Sequence, residues 1–226
     1  MPYTCDIPYD DGTHIHLWEV TETTADLMAL CQRRGIDTSR IPTTVKATTR
    51  RNEMLVERLL LLLIFGQPLE LHHTDDGQPY VVESNMFLSV SHTYGMVCIA
   101  VNADHRIGID VERKGTRVLR VRDKFLNEAE QGFIPLQDAE AHLIAWTAKE
   151  ALFKVHGERG VSLSDDIRVD AFKAATAGLI TFMGHCGDSD YAVITRSWYD
   201  HILTLATPAA SYPHPLRGGK GKAGRQ

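Results

Sequence analysis

The sequence predicts an α+β fold, with helices and strands grouped rather than in regular βαβα alternation. Three observations carry this. Long helical stretches at 49–65 and 139–156 end at Gly66 and Gly157, the residue type that stops helices. Several short runs of strand composition accompany each of them. Asp75-Asp76-Gly77 is a hairpin signal between the two. Each half of the chain therefore reads as helix plus several strands.

Taken in order, Ile15–Val20 (IHLWEV) has strand composition, and Ala25 to Arg34 reads as a helix closed by Gly35. The helix from Thr49 to Phe65 has Thr48 or Thr49 as its cap, a basic start (Arg50, Arg51, Arg58) and an apolar end. Phe87–Val90 and Met96–Val101 read as strands, joined by Ser91-His92-Thr93-Tyr94-Gly95. Ile107–Glu112 alternates apolar and polar residues, as a strand does. Short helices are expected at Val118–Phe125 and Glu128–Gly132, then the long helix Ala139–His156. Ile167–Phe172, Leu179–Phe182, Tyr191–Thr195 and Ile202–Ala206 complete the strands.

The 226 residues suffice for one large domain or two small ones. With 43% hydrophobic and 23% charged residues, collagenous, disordered and membrane classes are excluded. The apolar run Leu59–Phe65 is too short to span a bilayer and reads as a buried helix end. A formal charge of −5 disfavours a general nucleic-acid binder. The charge is uneven: Ser211 to Gln226 holds Arg217, Lys220, Lys222 and Arg225 and no acid, leaving twenty basic against twenty-nine acidic residues elsewhere. That Gly/Lys/Arg tail is expected to be disordered. Cys5, Cys31, Cys98 and Cys186 form no C-x-x-C pair and follow no signal peptide, so a reduced, cytoplasmic protein is expected.

Four constellations could carry chemistry. In Ile107-Gly108-Ile109-Asp110-Val111-Glu112, Asp110 and Glu112 are two apart and share a strand face. Two such carboxylates repel unless a cation lies between them, and oxygen ligands of this kind suit Mg²⁺ beside phosphate oxygens. The same pattern also fits an exposed face paired with Arg106 or Arg113. In Trp146-Thr147-Ala148-Lys149-Glu150-Ala151-Leu152-Phe153-Lys154, Trp146, Glu150 and Lys154 form one helical stripe, and Glu150 with Lys154 also suits a plain surface pair. Ser89-Val90-Ser91-His92-Thr93 could hold a phosphate or cap a turn. Arg50 and Arg51 add cations at a helix start, where solvated charge is the bland alternative. No G-x-S-x-G elbow supports a hydrolase.

In this order the segments resemble the 4′-phosphopantetheinyl transferases, in particular the long, pseudo-dimeric type typified by the surfactin synthetase activator. The resemblance rests on Gly77-Gln78-Pro79, Ser91-His92-Thr93, Ile107–Glu112, Trp146–Lys154 and Gly157–Leu163, and spans about Lys46 to Pro208. It implies two pseudo-repeated α+β halves, 1–104 and 105–212, with the active site in the cleft between them, followed by the tail 213–226. The implied reaction moves the 4′-phosphopantetheine arm of coenzyme A to a serine of an apo acyl or peptidyl carrier protein, releasing adenosine 3′,5′-bisphosphate. Asp110, Glu112 and Glu150 would hold Mg²⁺. Lys154 would contact the pyrophosphate or support the leaving group, and Glu150 would also serve as base, directly or through water. Ser91 and His92 match positions on the 3′-phosphate side of coenzyme A. Arg50 matches the arginine at the long helix's start, with Arg51 the one-residue-shift alternative.

One departure stands out. Gln78 occupies the place of the usual lysine, so either that contact weakens or another cation replaces it. Arg33, Arg34, Arg40 and Lys46 are open candidates for further basic contacts. An acidic carrier would dock on an apolar patch with a basic rim, for which Val118–Phe125, with Arg120, Arg122 and Lys124, has the composition. A monomer is expected, with no membrane or nucleic-acid partner. The competing reading is a catalytically silent module of the same fold that binds coenzyme A or a carrier protein.

Overall fold

A computed structural model describes residues 4–39, 41, 48–173 and 178–212. The first part runs through β1 (Thr4–Pro8), β2 (His14–Glu19), α1 (Thr24–Arg33), α2 (Thr48–Phe65), β3 (His72–His73), β4 (Pro79–Tyr80), β5 (Phe87–Thr93) and β6 (Met96–Asn102). The second begins with β7 (Gly108–Arg113) and two 3-10 turns, Arg117–Arg120 and Arg122–Lys124. Helices α3 (Glu128–Phe133) and α4 (Ala139–His156) follow, then β8 (Ile167–Val169), β9 (Leu179–Cys186), β10 (Ser189–Trp198) and β11 (His201–Pro208). Two antiparallel sheets result, with strand orders β1-β2-β6-β5 and β7-β11-β10-β9-β8, plus the small β3-β4 hairpin.

Side-chain alternation stacks these elements in four layers. Strand β6 is buried along its whole length, because both its faces are covered. Val97, Ile99 and Val101 pack with α1 and α2 residues such as Leu27, Leu55 and Leu59. Met96, Cys98 and Ala100 pack against Ile109, Leu203 and Leu205 of the second sheet. That sheet turns its other face to α4, joining Val193, Ile202 and Ala206 with Ala148, Ala151 and Leu152. The order is thus helices, sheet, sheet, helix, with the two sheets back to back. Among the described residues no helix is long and apolar enough to cross a membrane, and all four cysteines are free thiols.

Most predicted elements form within a residue or two of their expected bounds, and the differences have local causes. Strand β1 has no counterpart in the sequence reading, because Asp6 and Pro8 are poor strand formers and only an edge position tolerates such a proline. Ser91-His92-Thr93 is not a turn: β5 runs on through Thr93, since Ser91 and Thr93 find hydroxyl partners on β7. The stretch 118–125 forms 3-10 turns rather than an α-helix. Val118 and Phe125 are both buried beneath α4, and the chain between them shortens into i→i+3 bonds such as Lys124 N–H to Val121 O. Strand β8 ends at Val169, and Phe172 instead stacks between Phe133 and Phe182. The basic tail 213–226, Arg40 and Lys46 lie outside the described residues.

Candidate functional site

The edge of β7 meets β5 through side chains. Residues of β7 whose N–H groups point away from β11 need acceptors. Ser89 Oγ accepts from Ile109 N–H at 2.9 Å, and Ser91 Oγ accepts from Val111 N–H at 3.3 Å. Ser91 Oγ then donates to Asp110 Oδ1 at 2.7 Å, and Thr93 Oγ1 donates to Glu112 Oε2 at 3.2 Å. The period-two series Ser89, Ser91, Thr93 thus zips the first sheet to the second and aims both carboxylates.

Helix α4 completes the cluster from the far side. It lies on β7 at Gly108, where any Cβ would collide with the Ala151 carbonyl oxygen, so only glycine admits this approach. Lys154 Nζ consequently reaches Ile109 O at 2.8 Å and Asp110 Oδ1 at 2.9 Å. One α4 turn-pair earlier, Trp146 Nε1 donates to Glu112 Oε1 at 3.3 Å and packs edge-on against Phe125. Glu150 sits between them, half-buried. Among the described residues, the buried Asp110 Oδ2 has no hydrogen-bond partner.

The electrostatics match this geometry. Burial pushes the Glu150 carboxyl above its ordinary value, with Asp110 and then Glu112 adding to the rise and Lys154 opposing it. Burial and Asp110 likewise raise Glu112, against the hydrogen bonds from Trp146 and Thr93. Three acids therefore share a space with too little positive charge. Among the described residues no three His, Cys, Asp or Glu side chains are gathered into a ready-made metal cluster. Lys154, Trp146 and Thr93 occupy the oxygens that such a cluster would use. The orphaned Asp110 oxygen and the all-oxygen donor set are nevertheless what a hard divalent cation takes.

A second cluster adjoins the first. Arg50, on α2, places Nη1 2.6 Å from His92 Nε2, and Glu53 Oε2 lies 3.3 Å from both Arg50 Nη1 and His92 Nδ1. A guanidinium only donates, so His92 Nε2 accepts and the proton of the neutral ring sits on Nδ1. Burial lowers the His92 pKa, Glu53 opposes this, and Arg50 and Lys154 reinforce it. The fields of Lys154 and Asp110 thus reach His92.

The structure gathers most expected residues and redirects two. Asp110, Glu112, Glu150 and Lys154 surround one space, and Arg50 and His92 meet beside it. Ser91 is buried, and its hydroxyl serves Asp110 rather than facing outward. The Gln78 amide is engaged within the protein: it donates to the Lys154 carbonyl at 3.2 Å, beside the left-handed C-cap Gly157. Arg106 shares that corner and lines a 240 Å³ pocket with Gln78. Arg51 lies half-buried on α2. Sequence motifs include Thr93 and Trp146 but do not show that both hydrogen-bond Glu112, and they do not single out Glu53. The two-residue spacing of Thr93 from Ser91 and the four-residue spacing of Trp146 from Glu150 were the available signals.

Beside Glu112 opens a larger cleft of about 930 Å³, lined by Trp146, Val118, Val121, Arg113, Lys114 and Arg117 among others. Arg113 pairs with Asp200 at 2.8 Å and lies over the Tyr94 ring. The apolar and basic surface expected between 118 and 125 is therefore shared with 113–117, while Val118 and Phe125 belong to the core.

Paired acids and a lysine on two packed elements thus lie next to an arginine–histidine pair, one continuous group of charged side chains. Residues 106–206 match the family model of the 4′-phosphopantetheinyl transferase superfamily. That span runs from β7 through most of β11 and contains Asp110, Glu112, Glu150 and Lys154, so it points to phosphopantetheinyl transfer as the chemistry. No curated protein matches the chain.

Proposed function

We propose that this protein transfers the 4′-phosphopantetheine group of coenzyme A to a serine of an apo acyl or peptidyl carrier protein, as transferases of the long, two-half type do. The observation that carries the reading is the buried Asp110 Oδ2, unpartnered among the described residues, close to two acids of raised pKa and within the stretch similar to the superfamily. Asp110, Glu112 and Glu150 would hold Mg²⁺, which when bound neutralises charge on the pyrophosphate oxygens.

The chain's own residues supply the rest. Arg50 and His92 bind the 3′-phosphate and fix the nucleotide end. Lys154 turns its ammonium group from Asp110 toward the pyrophosphate. Glu150, whose raised pKa suits proton transfer, takes the proton of the carrier serine. The serine oxygen then bonds to phosphorus, the phosphorus–oxygen bond to the nucleotide breaks, and adenosine 3′,5′-bisphosphate departs. The cleft beside Glu112, with Arg113, Lys114 and Arg117 on its wall, receives the carrier, and exposed Arg120 and Lys124 extend its basic rim. Arg106, at the Gln78 corner, supplies the positive charge that Gln78 lacks.

The test is mass spectrometry of a panel of apo carrier proteins incubated with the protein, coenzyme A and Mg²⁺. At least one carrier gains the phosphopantetheine mass, and Asp110→Ala and Glu150→Ala abolish that gain. Full activity in both variants would sink the site assignment. The Gln78 amide, spent on the Lys154 carbonyl, favours a second reading as a silent coenzyme A binder. Coenzyme A binding without transfer to any carrier would favour it.

A further inference from the structure

The pairing of Arg50 with His92 has a third member that phosphate binding does not require. Glu53 is one helical turn after Arg50 on α2, and its side chain is only 10% exposed, whereas those of Arg50 and His92 are 45% and 38% exposed. Its Oε2 lies 3.3 Å from Arg50 Nη1 and 3.3 Å from His92 Nδ1. Arg50 Nη1 is thus shared between the imidazole and the carboxylate, and the imidazole Nδ1 lies within ion-pair distance of the same carboxylate. Those are the donors that a phosphate group would use. Glu53 also cancels the arginine's charge, leaving the cluster neutral before any anion arrives.

We infer that Glu53 is a specificity-determining residue: its carboxylate competes with the ligand's phosphate monoester for Arg50 and His92. This rests on the proposed reading of the site as a coenzyme A site. Glu53 contacts Arg50 and His92, which that reading assigns to the 3′-phosphate, so the effect is read at that end of the ligand. Glu53 therefore keeps the preference for coenzyme A over its form lacking the 3′-phosphate smaller than an arginine–histidine pair alone would give. Substituting Gln for Glu53 keeps an acceptor for Arg50 and removes the charge.

Calorimetric titration of the full chain with coenzyme A and with dephospho-coenzyme A tests this. In Glu53→Gln, coenzyme A binds about tenfold tighter, the size expected for removing one charge next to a bound anion, and dephospho-coenzyme A binds as before. Glu53→Ala, which removes charge and acceptor together, shows a change in the same direction. Equal shifts for both ligands, no shift, or weaker coenzyme A binding in Glu53→Gln overturns the inference and leaves the coenzyme A reading standing. A wild-type chain that binds neither ligand overturns that reading and the inference with it.

Discussion

Lys149 and Lys154 stand on the same helix, α4, and each reaches a carboxylate, Glu130 at 2.6 Å and Asp110 at 2.9 Å. Around Lys149 every polar group is used. Its three protons go to Glu130 Oε2 and to the Leu163 and Ile167 carbonyls, both at 2.8 Å. Glu130 in turn accepts from the N–H groups of Asn127 and Val169. Both side chains are fully buried, and the pair ties α3, α4 and the start of β8 together. Around Lys154 the accounts stay open. Among the described residues its ammonium makes two bonds, Asp110 Oδ2 makes none, and Glu112 and Glu150 crowd the same space. The difference teaches that a buried ion pair serves structure when its donors and acceptors are all matched, and leaves room for a ligand when they are not.

Breaking the closed pair is the largest perturbation. Lys149→Ala strands the buried Glu130 carboxylate, and urea unfolding should show a loss of about 3–5 kcal/mol. Next comes Gly108→Ala, which drives a methyl group into the Ala151 carbonyl and pushes α4 off β7. It should lose about 1–3 kcal/mol in the same measurement and lose transfer activity out of proportion, because Lys154 and Glu150 ride on α4. The open pair responds the opposite way. Asp110→Asn preserves an acceptor for Ser91 and Lys154 and relieves repulsion, so its unfolding free energy should change by less than about 1 kcal/mol. The proposed Mg²⁺ site predicts a rise in Tm on adding Mg²⁺ to the unsubstituted protein and none in that variant. If Lys149→Ala were harmless and Asp110→Asn unfolded the chain, the contrast between the two pairs would be wrong.

The smallest effect is a pH dependence without metal. Glu112 and Glu150 have folded-state pKa values above those of unfolded carboxylates. The folded chain therefore binds more protons between the ordinary carboxylate pKa and the raised values, and stability falls as pH rises through that window. Acidification back through it should raise Tm slightly, and Glu112→Gln with Glu150→Gln should flatten the response. Mg²⁺ stabilisation should run the other way, weakening as those acids protonate.

Much of the site was legible because its residues lie close together in sequence. Strand alternation put Asp110 and Glu112 on one face, and helical spacing put Trp146, Glu150 and Lys154 on one stripe. Arg50 and His92 could be nominated separately, but nothing local says that they touch, since α2 and β5 meet only through the first core. Ser91 and Gln78 show the limit from the other side. Their residue types fit a phosphate, yet a hydroxyl or an amide bonds to whatever polar group packing brings nearest, which here is Asp110 and the Lys154 carbonyl.

Sequence alone determined the α+β class, the bounds of α4 and the residue types at the acidic site, because periodicity, capping and motif spacing are properties of neighbouring residues. Only the tertiary structure decided the back-to-back order of the sheets, the glycine contact that seats α4, the burial of Ser91 and the presence of Glu53 beneath Arg50 and His92. These depend on which distant segments meet, and packing of apolar faces settles that without leaving a local mark in the chain.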